Sequence, residues 1–298
     1  RKQLMTKVKN AVILAAGYSS RFVPLCFDIP KGLLIVKGET LIERQIRQLK
    51  ELDINDICIV TGAYAEQFSF LEKKHHVRLI FNSDYKTKNN FASLYVAKEF
   101  LSDTLVTSSD LFFTENIFQN EFENPYYASV YINGVTNQRC LTLDENDKII
   151  ATKYNGSDMW ITFGGHAVLS ADISDKLLHY MSLAYSQPEC ANKYWVDFQD
   201  EHLSEMPMYI KRLKQTDIVE FNTLKALQDF DTSFCAVKQS PTMQYIVNAL
   251  GAKNERDLTN ILPIKTGNTA IGCCWRYKDE QYEYLNGIVK KIKGDSHV

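Results

Sequence analysis

The densest group of residues able to do chemistry follows a short apolar run. Leu14-Ala15-Ala16-Gly17-Tyr18-Ser19-Ser20-Arg21-Phe22 leads on to Pro30-Lys31. A strand that opens into a loop of small residues can turn backbone N–H groups toward an anion. Arg21 and Lys31 then supply the positive charge a polyphosphate demands. Gly-x-x-x-x-Gly-Lys-Ser/Thr and Gly-x-Gly-x-x-Gly are both absent, so neither the P-loop nor the dinucleotide fingerprint applies. A second signal is Asp110, directly after Leu105-Val106-Thr107. Ligands bind at the carboxyl ends of strands in open α/β sheets, and a carboxylate there suits Mg²⁺ bridging phosphate oxygens. A third is Tyr194-Trp195-Val196-Asp197, where a carboxylate follows two aromatics. His75-His76 have no Cys or acidic partner at ligand spacing. His166, after Gly164-Gly165, is either a hydrogen-bonding group toward a substrate or a structural histidine.

These residues need elements to hold them. Ala11 to Ala16 is too short for a helix and reads as a strand buried on both faces. Thr40 with Glu43 opens a helix, Ile57 to Val60 is a strand closed by Gly62, and Glu66 to Lys74 is helical. Val77 to Phe81, a helix over Asn90 to Phe100 and the strand at Leu105 continue the alternation. Strand–helix alternation predicts right-handed βαβ units and a Rossmann-like, mostly parallel sheet flanked by helices.

The middle of the chain breaks this pattern. Tyr127 to Tyr131, Lys148 to Thr152 and Trp160 to Leu169 read as a lobe of mixed strands. Helices over Asp172 to Ser186 and Trp195 to Met206, a strand over Tyr209 to Leu213 and a helix over Thr223 to Phe230 follow. From about Ser233 the sequence restarts with a helix at Pro241 to Leu250. Strands are expected at Asp257 to Lys265, Thr269 to Tyr277 and Tyr282 to Leu285. The domains expected are therefore residues 1–232 and a small α+β appendage, residues 233–298, docked on the first domain or on a partner subunit.

Composition narrows the function classes. The 298 residues are 45% hydrophobic and 23% charged, with 34 basic against 36 acidic side chains and a net charge of -2. No basic patch is available for a nucleic-acid backbone, and no apolar run approaches the ~20 residues of a membrane span. The opening residues Arg1 to Met5 lack the apolar stretch of a signal peptide. Seven cysteines, an odd number without Cys-x-x-Cys, predict a reducing, cytoplasmic setting.

Several motifs in order resemble one family. They are Leu14-Ala15-Ala16-Gly17-x-x-Ser20-Arg21-Phe22, Pro30-Lys31, Leu41-Ile42-Glu43, Asn55-Asp56-Ile57, Glu66-Gln67-Phe68, Asn89-Asn90-Phe91-x-Ser93-Leu94-Tyr95 and Tyr194-Trp195. Together they resemble the small nucleotidyltransferases of the GT-A-like fold, and among these the bacterial CTP:phosphocholine cytidylyltransferases, over about residues 8–230. The resemblance implies that Leu14, Ala15, Ala16, Gly17, Ser20, Arg21 and Lys31 hold the CTP triphosphate, Arg21 and Lys31 being catalytic. It implies that Gly62, Tyr64, Asn90 and Ser93 line the nucleoside, and that Asp110 and Asp197 bind Mg²⁺. The acceptor, a small phosphorylated amino alcohol, would meet Tyr131, Arg139, His166, Tyr194 and Trp195.

Two departures stand out. Ser108-Ser109-Asp110 replaces an Asp-x-Asp-like segment, leaving one carboxylate. Arg139 stands where the phosphocholine enzymes carry a tryptophan able to face a trimethylammonium group. The acceptor thus stays open among phosphocholine, phosphoethanolamine, 2-aminoethylphosphonate and a sugar-1-phosphate, and a non-catalytic nucleotide-binding regulator is the alternative of another class. Residues 257–287 resemble the start of a choline/ethanolamine kinase lobe without its expected cationic residue near Tyr282 to Gly287. No kinase activity is expected of them. A homodimer or a kinase partner through this extension is the association expected.

Overall fold

The computed structural model describes residues 5–292, apart from the side chains at 163–165. The chain divides into two compact units, one comprising the residues up to Gly17 with Ile42–Glu220 and the other Tyr18–Leu41 with the residues from Phe221 on. This division differs from the boundary expected between residues 232 and 233. The segment after Gly17 makes its contacts with the C-terminal part of the chain.

The first unit is built on a seven-stranded sheet. Its strands are β1 (Asn10–Ala15), β2 (Ile57–Thr61), β3 (Arg78–Phe81), β4 (Thr104–Ser108), β6 (Tyr126–Leu143), β7 (Ile149–Leu169) and β8 (Tyr209–Leu213). They lie in the order β8-β6-β7-β4-β1-β2-β3. Two short strands, β5 (Leu111–Phe113) and β9 (Ile218–Glu220), pair separately. Strand β1 runs parallel to both β2 and β4, and β2 runs parallel to β3. All six β1 residues are buried, as a strand covered on both faces must be.

Helices α1 (Leu41–Lys50), α2 (Phe70–His75), α3 (Asn90–Val96), α4 (Ala171–Ala184) and α5 (Trp195–Glu201) belong to the same region of the chain. The core joins Val12, Val60 and Val106 of the sheet to Phe91, Leu177, Trp195 and Phe198 of the helices. The Ser170 hydroxyl accepts from Ile173 N–H and caps α4. Where three separate mid-chain strands were expected, β6 and β7 form one long antiparallel ribbon interrupted by register shifts. Helix α5 ends at Glu201, short of the expected Met206.

In the second unit, α6 (Leu224–Phe230) and α7 (Pro241–Leu250) precede a four-stranded antiparallel sheet. Its strands are β10 (Thr259–Thr266), β11 (Thr269–Tyr277), β12 (Glu280–Leu285) and β13 (Ile288–Ile292). Helix α7 starts with Pro241 behind a Ser240 cap and stops at Gly251, whose φ of 61° favours glycine. Among the described residues no helix is long and apolar enough to cross a membrane.

Candidate active site

Parallel pairing brings three strand ends together in the first unit. Ala15 lies opposite Thr61 and Leu14 opposite Ser108, so Gly17, Gly62 and Asp110 all follow the carboxyl edge of adjacent strands. Backbone bonds lock these ends, Ala63 N–H to Ala16 O at 3.0 Å and Ser109 N–H to Leu14 O at 2.9 Å. Gly62 is required by close approach: a Cβ there would sit 2.7 Å from Ala16 O and 2.7 Å from Tyr85 Cβ. Tyr64 follows in the left-handed region, at φ 57°. After β3, Asn82 donates from Nδ2 to Ser93 Oγ at 3.0 Å. Both Ser93 and Asn82 are buried, so this bond ties the end of β3 to the first turn of α3. Asn90 accepts from Trp195 N–H at 3.0 Å, tying the start of α3 to the start of α5.

The carboxylates occupy two places. Asp110 accepts from Ser108 Oγ at 2.6 Å, so the serine standing in for a second acid orients the one that remains. The antiparallel pairing of β5 with β9 sets Glu220 opposite Leu111, one residue along from Asp110. Glu220 went unread because its neighbour lies more than a hundred positions earlier. Two residues further on, Asn222 has a buried Oδ1 with no hydrogen-bond partner. Asp197 accepts from Tyr194 N–H at 2.7 Å at the start of α5. Burial raises the pKa of Asp197, as do Asp200 and Glu201, while the Tyr194 N–H and Arg139 counter the rise. No cluster of three His, Cys, Asp or Glu side chains forms a metal site among the described residues. The donors available are hard oxygens, the type that suits Mg²⁺ shared with substrate phosphates.

Arg139, expected at the acceptor or in solvent, is buried and paired with other side chains. Its Nε donates to Asp200 Oδ2 at 2.8 Å, and one Nη donates both to Asp200 Oδ1 and to Gln199 Oε1. The guanidinium lies 4.8 Å from the Tyr127 ring centre, and only 4% of the residue is exposed. Burial pulls its pKa down, and Asp200, Tyr127 and Tyr154 together more than reverse that. His166 is equally enclosed, packed 5.5 Å from the Phe113 ring and 5.3 Å from that of Phe118. Burial, with Lys211 adding to it, lowers its pKa to about 3, so it is neutral at ordinary pH. Trp195 is buried and stacked on Tyr127 at 5.6 Å. Of the five residues expected around the acceptor, Tyr131 and Tyr194 are the exposed ones. Tyr154, absent from the sequence reading, is exposed too, and its pKa is raised by burial and then by the charge of Asp197.

In the second unit, the Ser20 hydroxyl donates to Asn268 O at 2.7 Å and Arg21 is exposed. Lys31 is buried at the start of a 3₁₀ turn, its Nζ 5.4 Å from the Phe22 ring centre.

Residues 11–171 match the model of the MobA-like NTP transferase domain, more than half of the chain. The chain belongs to that family. As a family member it is a nucleotidyltransferase, with the α/β fold the sequence resemblance implied. Choline-phosphate cytidylyltransferase of Streptococcus pneumoniae is 34% identical over 219 residues, covering 72% of this chain and 94% of the relative. 2-Aminoethylphosphonate cytidylyltransferase of Lancefieldella rimae is 31% identical over 235 residues, covering 78% and 95%. The solved structure of CTP:phosphocholine cytidylyltransferase from Streptococcus pneumoniae superposes with a TM-score of 0.72 at 33% identity, covering 76% of this chain and 99% of that one.

Proposed function

We propose that this protein transfers the cytidylyl group of CTP to phosphocholine or a similar small amino-alcohol phosphate, releasing pyrophosphate. The supporting observation is the shared carboxyl edge of β1, β2 and β4, which carries Gly17, Gly62 and Asp110, in a chain similar to two cytidylyltransferases along most of their length. The acceptor's phosphate oxygen attacks the α-phosphorus in line and pyrophosphate leaves, with no covalent enzyme intermediate. Catalysis is then positioning and charge neutralisation. Arg21 and Lys31 balance the charge on the departing phosphates. Gly62, Tyr64 and Asn90 shape the nucleoside site, and the buried Ser93 supports it from below.

Asp110 would hold Mg²⁺, which when bound neutralises phosphate charge. Asp197 is the second ligand expected from the resemblance, and Glu220 is the one favoured by strand pairing. If Asp197 is not a ligand, its carboxylate beside Tyr154 and Tyr194 suits the amine of the acceptor. Arg139 is engaged by Asp200, so the acceptor is read by other groups. A second reading, 2-aminoethylphosphonate as acceptor, is favoured by the Lancefieldella rimae relative. Seven cysteines without a disulfide, five of them buried, fit a reducing cytoplasm. Association as a homodimer, or with a kinase through residues 233–298, would appear as a larger mass in light scattering.

The test incubates the protein and Mg²⁺ with each nucleoside triphosphate and a panel of acceptors, following pyrophosphate. CTP binding in calorimetry without turnover on any acceptor would instead favour the non-catalytic regulator.

A further inference from the structure

The segment that carries Ser20, Arg21 and Lys31 has little regular structure of its own. It contains two 3₁₀ turns and the two-residue strand pair Ile35–Val36 with Glu39–Thr40. Its shape must come from tertiary contacts, and these are made with the C-terminal part of the chain. Asp28 is the densest of them. Its Oδ2 accepts from Ser240 Oγ and, at 2.9 Å, from Thr242 N–H, while Oδ1 accepts from Thr242 Oγ1 at 2.9 Å. Thr242 lies in the first turn of α7, where backbone N–H groups lack helical partners and a carboxylate is favoured. Ile35 N–H donates to Gln239 Oε1 at 2.8 Å and Gln239 Nε2 donates back to Ile35 O at 3.1 Å. Lys37 N–H donates to Asp231 Oδ2 at 2.7 Å, and the Phe27 ring lies 5.8 Å from that of Tyr284. At the tip of the segment, Ser20 is held by Asn268 in the turn between β10 and β11.

We propose that the C-terminal segment is the positioning frame of the nucleotide loop, with Asp28 as the residue that transmits its hold, so that this segment sets the affinity for CTP. The inference rests on the reading of Arg21 and Lys31 as triphosphate ligands. Electrostatic stabilisation works only when the charges are held before the substrate arrives, and ~1 Å of misplacement can cost ~100-fold in rate. A hydroxyl has one proton to give. Ser20, spending it on Asn268, anchors the tip of the loop that carries Arg21 and Lys31. Asp28 is a positioning residue: its carboxylate serves α7.

The whole 298-residue chain carrying Asp28→Asn or Thr242→Val tests this. KM for CTP and KM for the acceptor are measured separately, with calorimetric CTP affinity and thermal stability alongside. Asp28→Asn is expected to raise KM for CTP by about tenfold, or ~1.4 kcal/mol. The acceptor KM should stay within roughly twofold, because only interactions with the nucleotide are disturbed. Thr242→Val, which keeps the helix N–H bond to Asp28, should raise KM for CTP by about threefold. A clamp that merely stabilises the fold would lower the melting temperature and the active fraction, hence kcat, with KM for CTP unmoved in both variants. That result overturns the proposal. A wild-type protein that releases no pyrophosphate from any triphosphate overturns the functional reading and this inference with it, whereas an active wild type with unchanged variants removes the inference alone.

Discussion

Asp110 and Arg139 mark the two extremes of what a residue type reveals in sequence. A carboxylate after a buried strand stands at the edge where open α/β sheets bind ligands, so Asp110 was legible as a candidate. Its neighbour Glu220 was not, because only the pairing of β5 with β9 brings it there. Asp110→Asn should remove at least ~99% of turnover, since metal-held charge stabilisation is worth several kcal/mol, without lowering the melting temperature. Asp197→Asn and Glu220→Gln divide the remaining question. The true second ligand raises the Mg²⁺ concentration needed for half-maximal rate, and the other leaves it unchanged. Arg139 shows the opposite case. The sequence left it between solvent and acceptor because its partner, Asp200, lies 61 positions away. Arg139→Gln strands a mostly buried carboxylate and should cost ~3 kcal/mol of stability, read as a lowered denaturant midpoint. A variant as stable as wild type would show that the pair contributes nothing.

At the scale of elements, the βαβ alternation was readable because strands such as β2 are apolar and buried for most of their length and α1 keeps its apolar period. The β6–β7 ribbon was not, since its register shifts break the alternation and the glycines within its strands, Gly134 and Gly156, imitate strand ends. The division of the chain was likewise hidden, because nothing local in residues 18–41 signals that their partners lie beyond residue 220. The join of β1 to β2 gives a prediction at this scale. Gly62→Ala would push a methyl group to 2.7 Å from Ala16 O, displacing both strand ends. A loss of about 1–3 kcal/mol is expected from overpacking, together with weakened CTP binding. Wild-type stability in thermal unfolding would mean that the two strand ends can part without cost.

At the scale of the whole molecule, one enclosed imidazole contributes to acid sensitivity. Burial lowers the His166 pKa to about 3, against an ordinary value near 6.5. Between these values the unfolded chain binds the proton and the folded chain does not, so stability falls as pH drops from about 6.5 toward 3. From pH 7 to 5 this one group should cost about 2 kcal/mol. His166→Phe, placed between Phe113 and Phe118, should lose correspondingly less stability over that interval in urea unfolding at the two pH values. Equal losses in variant and wild type would assign the acid sensitivity to other groups.

Cytidylyl transfer by this chain is tested most directly by one reaction. The measurement is pyrophosphate release from CTP and Mg²⁺ in the presence of phosphocholine, phosphoethanolamine or 2-aminoethylphosphonate. The predicted result is acceptor-dependent release with CTP far exceeding that with ATP, GTP or UTP, together with a CDP-linked product. Release that is independent of any acceptor, or that proceeds as well with another triphosphate and a sugar-1-phosphate, would contradict it.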